Sequence, residues 1–90
     1  MRFEWDRLKD EENRTKHGVS FEEASTVFAD PLAATIPDPD HSQTEMRFLT
    51  MGLSSTGRLV VVSHTEEDGA LFRIISAREA ISHERKAYEG

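Results

Sequence analysis

The sequence predicts an α+β domain in the order β-α-α-β-β-β-β-α, with a mostly antiparallel sheet and helices packed on it. Three observations carry this. Strand-like runs follow one another through the second half of the chain. Turn sequences rather than crossover helices separate them. Two capping-box patterns, Ser20-Phe21-Glu22-Glu23 and Ser76-Ala77-Arg78-Glu79, mark helix starts on either side of that region.

Arg2 to Trp5 reads as a short strand, followed by a polar helix from about Asp6 to Lys16. Asp10→Arg14 and Glu12→Lys16 are acid-before-base pairs one turn apart that support this helix, and Gly18 supplies its C-terminal cap. Ser20 opens a second helix with Phe21, Ala24, Val27 and Phe28 on one stripe, and Asp30-Pro31 closes it. Leu32 to Pro37 fits an edge strand, because Pro37 has no N–H to give to a ladder. After the polar loop Asp38 to Thr44 come three strands, Glu45–Leu53, Arg58–Glu66 and Leu71–Ala77, separated by turns at Ser54–Gly57 and Asp68-Gly69. The second capping box opens a last helix with Ala77, Ala80, Ile81, Ala87 and Tyr88 on one face. No linker or repeat divides the chain, so residues 1–90 are expected to form a single domain.

The composition narrows the function. Of 90 residues, 37% are hydrophobic and 31% charged, which suits a small soluble domain with a modest core. There is no cysteine, so disulfides and thiolate metal sites are excluded. Met1 to Asp6 lacks the apolar stretch of a secretory leader, and no run approaches the ~20 apolar residues of a membrane span. A cytoplasmic protein with no membrane partner is expected. The net charge of −6 argues against nucleic acid as a general ligand and suits a basic protein partner, while leaving room for a local basic site.

Hairpin register points to such a site. With a two-residue turn at Asp68-Gly69, His64 faces Arg73; with a four-residue loop at Ser54–Gly57, Arg47 faces His64. Arg47, His64 and Arg73 then stand side by side on one face, Glu45 and Glu66 lie one pair further along, and Leu49, Met51, Val60, Val62, Leu71 and Ile75 fill the rest. Arginine forks match phosphate oxygens, histidine passes protons near neutral pH, and a carboxylate can orient it or act as base. The same residues could equally be a solvated ion-pair network around a strand histidine. Lys16 and His17, at the end of the first helix, are either phosphate contact and proton donor or cations favoured by the helix dipole. Arg78, in the expected first turn of the last helix, either faces an anion with that helix N-terminus or forms a salt bridge. Arg85-Lys86 is a solvated face or an RNA contact, and Glu84 lies at the edge of the apolar stripe. Trp5, Phe21, Phe28, Phe48 and Phe72 read as core rather than base-stacking platforms. The four histidines are scattered, and Asp38, Asp40 and His41 fit turn chemistry better than a metal loop, so neither metal nor cofactor is expected.

Taken together, Phe3-Glu4-Trp5-Asp6, Lys16-His17-Gly18-Val19-Ser20-Phe21-Glu22-Glu23-Ala24, Val27-Phe28-Ala29-Asp30-Pro31, Arg47-Phe48-Leu49-Thr50-Met51-Gly52, Val62-Ser63-His64-Thr65-Glu66, Arg73-Ile74-Ile75-Ser76-Ala77-Arg78 and Glu84-Arg85-Lys86-Ala87-Tyr88-Glu89 resemble the BrnT family of type II toxins, in the RelE/ParE superfamily. The resemblance implies a RelE-like fold and an endoribonuclease that blocks translation. It also implies a BrnA-like antitoxin that neutralises the toxin and carries the contact to operator DNA. It favours Lys16, His17, Arg47, His64, Arg73 and Arg78 as site residues. Glu67 and Glu79 depart from the family pattern, standing where many relatives carry a basic residue. Two other readings remain open: a non-catalytic module whose anchors would be Leu49, Val62 and Ile75, and a ParE-like gyrase poison.

Overall fold

The computed structural model describes residues 1–42, 44–68 and 70–90. Strand β1 (Arg2–Glu4) leads to helix α1 (Arg7–His17), then α2 (Phe21–Thr26), which tightens into a 3-10 turn over Val27–Ala29. Strands β2 (Ala34–Pro37), β3 (Phe48–Leu53), β4 (Leu59–Glu67) and β5 (Leu71–Glu79) follow, and α3 (Ser82–Glu89) ends the chain. Among the described residues the sheet runs β1-β5-β4-β3-β2, with β1 parallel to β5 and the other pairs antiparallel. The expected element order and the edge position of β2 are both present.

Local chemistry explains the helix starts. The Asp6 carboxylate accepts from the N–H groups of Leu8 and Lys9, and Gly18 closes α1 at φ 71°. The Ser20 hydroxyl accepts from Glu23 N–H. The Asp10 carboxylate takes the free N–H of Phe21, tying α1 to α2. The reciprocal half of the expected capping box is absent, because the Glu23 carboxylate turns instead to Ser54, Thr56 and Arg58. Those three donors, Arg58 first among them, hold its pKa at about 2.

Val19, Phe21, Ala24 and Val27 pack against Val60, Val62, Ile74 and Ala77, with Phe3, Trp5 and Phe28 around them. This places α2 on the inner face of the sheet, while α1 runs along the edge of β5. Beyond the end of β1, Asn13 takes over as partner of β5. Its amide donates to the carbonyls of Val19 and Ala77 and accepts from Ala77 N–H, so a side chain completes the ladder where a strand stops.

The second capping box is a correction. Ser76 to Glu79 belongs to β5, which runs two residues past its expected end at Ala77, and α3 begins at Ser82. Cross-strand pairing with Val60 and Val61 holds Glu79 and Arg78 extended and overrides the local helix signal. The Glu84 carboxylate caps the true helix start by accepting from Ile81 N–H.

Candidate active site

Both hairpins differ from the expected register by one residue, in the same sense. Leu53 pairs with Leu59, so Ser54–Arg58 lies between the paired ends, with Gly57 at φ 83° closing the turn. Glu67 pairs with Leu71, leaving residues 68–70 between the strands and Ala70 at φ 60°; Gly69 of the expected two-residue turn lies outside the described residues. Each turn is one residue longer than expected and contains a left-handed residue, Gly57 in the first and Ala70 in the second.

One step of register exchanges the faces of a strand. Applied twice, the shift leaves the arginines together and removes the histidine. Thr65 pairs with Arg73. Phe48 pairs with His64, so continuing the ladder by one step sets Arg47 beside Thr65. The outer-face row is therefore Arg47, Thr65, Arg73. His64 and Glu66 move to the other face, opposite Ile74 and Phe72. Val60 and Val62 are likewise core residues on the inner face, so Val62 cannot be a surface anchor. Ile75 occupies a bulge between Ile74 and Ser76.

His64 is completely buried. Phe28 meets its ring edge-on at 4.9 Å, Phe72 lies at 5.6 Å, and Phe48 stacks at 6.0 Å. Nδ1 lies 3.2 Å from the Thr65 carbonyl, which can only accept, so Nδ1 carries the proton. Nε2 then accepts from the Thr50 hydroxyl at 2.6 Å, and Thr50 accepts from Thr35 at 2.7 Å. Burial disfavours the imidazolium and lowers the pKa from 6.5. A neutral, saturated ring cannot reach a substrate on the opposite face.

The outer row has a different character. Glu45 binds Arg73 Nη2 through both oxygens, at 2.7 and 2.6 Å, and lies 3.9 Å from Arg47 Nη2. The three side chains are each about one-third exposed (31–39%), so the cluster opens to solvent. Two guanidiniums share this one carboxylate, and β1 sets Glu4 beside Arg73 in the ladder. Thr65, absent from the expected site, is 4% exposed. The correct turn length would have brought it in.

The other expected residues lie elsewhere along β5 and on α1 and α3. Lys16 and His17 are exposed and, with Lys9, Glu12 and Asn13, face Ile75 and Ser76 across the flank of β5. Arg78 lies on β5 rather than in a helix, and Glu84 fills its fork at 2.8 and 2.9 Å. Glu84 is thus a salt-bridge partner rather than a stripe edge. Its pKa falls to about 2, chiefly through the Arg78 bonds. Arg85 is exposed on α3. Farther along the outer face, α3 leaves an open apolar groove of about 450 Å³, with Ile36, Leu49, Met51, Val61 and Tyr88 in its wall. Among the described residues, no three His, Asp or Glu side chains converge as a metal site.

Sequence comparison decides the family. The family described as "Ribonuclease toxin, BrnT, of type II toxin-antitoxin system" matches residues 5–84. The chain belongs to the BrnT family. A crystal structure of the Brucella abortus ribonuclease toxin BrnT has the same fold, with TM-score 0.69 and 21% identity, over 91% of this chain and 99% of that one. No curated protein sequence matches. BrnT is a ribonuclease toxin family of type II toxin–antitoxin systems, and membership implies an antitoxin partner. No helix among the described residues is long and apolar enough to cross a membrane.

Proposed function

We propose that this chain is a cytoplasmic endoribonuclease toxin that cleaves RNA by metal-independent transesterification and so blocks translation. The convergence of Arg47 and Arg73 on Glu45, at an open end of the outer face, supports this reading. Two guanidiniums can clamp a phosphodiester and stabilise the charge that grows on its oxygens in the transition state. RNA supplies its own nucleophile. Glu45 takes the proton of the 2′-hydroxyl, whose oxygen attacks phosphorus. The 5′-oxygen leaves with a proton from His17, and the products are a 2′,3′-cyclic phosphate and a 5′-hydroxyl end. Lys16 and Arg85 contact neighbouring phosphates. His64 and Glu66 have no part in this mechanism because they face the other way, and Arg78 serves α3 through Glu84. A BrnA-like antitoxin neutralises the toxin and alone contacts operator DNA; the net charge of −6 suits a basic partner.

The experiment is incubation of the purified chain, freed of antitoxin, with defined RNA in EDTA, mapping the 3′ ends. Fragments ending in cyclic phosphate are expected, and Arg73→Ala should abolish them, and growth inhibition with them, while folding and antitoxin binding survive. A folded Arg73→Ala chain with full toxicity would sink the assignment. Intact RNA from the folded wild-type chain would favour a module whose outer face only binds antitoxin.

A further inference from the structure

Two buried side-chain polar atoms lack a hydrogen-bond partner among the described residues: Arg47 Nε and Thr65 Oγ1. Both belong to the outer row of the sheet. Such atoms normally find partners, because burying one unpaired costs more than the bond itself contributes. Thr65 sits on β4, between the strand that carries Arg73 and the segment that carries Glu45 and Arg47. The bond from Glu45 to Arg73 must therefore pass over β4 at Thr65. Thr65 is 4% exposed although it lies near the open end of the sheet.

We infer that Thr65 and Arg47 Nε form the floor of a phosphate subsite, and that the Glu45 carboxylate caps it in the free chain. A carboxylate and a phosphate present the same face of oxygens to an arginine fork. An incoming phosphate takes the place of Glu45 on Arg73, and the displaced side chain uncovers the two donors beneath. Phosphate oxygens then accept from Thr65 Oγ1–H, from Arg47 Nε–H and from Arg73. Glu45, released from the arginines, is free to act as base. Substrate binding would thus arm the site, and the cap would disfavour any anion that cannot match the three donors together. This inference rests on the ribonuclease reading for its substrate, but its test uses no RNA.

Inorganic phosphate is titrated into the intact chain while the arginine Nε–H and backbone signals are followed by NMR. The expected result is a shift of the Arg47 and Arg73 Nε–H signals with saturation. Thr65→Val should weaken binding at least fivefold without lowering the melting temperature, because it removes an unpaired hydroxyl at constant shape. Thr65→Ser should keep the wild-type affinity, and Glu45→Ala should bind phosphate several-fold more tightly. Equal affinity in Thr65→Val and wild type, equal losses in Thr65→Val and Thr65→Ser, or weaker binding in Glu45→Ala would each overturn the inference, as would a wild-type chain that ignores phosphate. Phosphate binding with this pattern, but no RNA cleavage, would overturn the ribonuclease reading and leave the subsite standing.

Discussion

His64 shows how one side chain's meaning depends on which way it faces. On the outer face, beside two arginines, it would be a proton shuttle. On the inner face it is a hydrogen-bonded core residue between Phe28, Phe48 and Phe72, bound at both ring nitrogens. Its lowered pKa makes a prediction with a definite sign. The folded chain holds the neutral ring, while the unfolded chain protonates it below its ordinary 6.5. The group's contribution is therefore complete above that pH and falls away as pH drops below it. Melting temperature measured against pH should begin to decline there, and NMR should show the neutral Nδ1–H tautomer well below 6.5. A His64→Gln variant should lose this part of the decline. An imidazole titrating normally in the folded chain would disprove the buried assignment. Sequence periodicity alone could not separate the two faces, because a histidine suits either.

At the scale of elements, the two hairpin turns decide the site. Gly57 at φ 83° and Ala70 at φ 60° each add a left-handed residue to their turns. The turn sequences show where the chain reverses but fit both loop lengths, and each extra residue inverts the faces of the next strand. Arg47 and Arg73 stay together because two inversions cancel across the sheet; Thr65 replaces His64 because only one lies between β4 and either neighbour. The same scale explains why α3 starts at Ser82. Ser76 to Glu79 carries a good local helix signal, but the ladder to β4 satisfies more backbone groups than an isolated first turn would. Asn13 is the clearest device at this level and one that periodicity missed, since an asparagine in a polar helix looks like surface. Asn13→Ala should leave the Ala77 N–H and the carbonyls of Val19 and Ala77 unpaired in the interior. A loss of about 3 kcal/mol is expected, measurable by urea unfolding. A loss under about 0.5 kcal/mol, as for an ordinary surface substitution, would show that the amide does not act as a strand.

Across the whole molecule, two carboxylates tie segments distant in sequence. Glu23 joins α2 to the β3–β4 hairpin through Ser54, Thr56 and Arg58, and Glu84 joins α3 to β5 through Arg78. Both have pKa values near 2, against an ordinary 4.5. Folding therefore favours the charged forms, and their contribution is intact above pH 4.5 and disappears as pH falls toward 2. A second, steeper loss of stability should appear in that window, and Glu23→Gln should flatten it while lowering stability at neutral pH by about 1–3 kcal/mol. An acid limb unchanged in Glu23→Gln would show that the link to Arg58 is not formed in solution.

By itself the sequence determined the class of the fold, the order of its elements, the caps at Ser20 and Gly18, and the family. Each of these rests on neighbours in the chain, on short periods, or on residue types that persist in order over the whole length. Only the tertiary structure decided which residues share a face, where β5 stops, and that Thr65 rather than His64 lies between the arginines. The physical reason is that strand pairing is a long-range choice with a period of two residues. An error of one residue in a turn costs little locally, yet it carries a side chain from solvent to core.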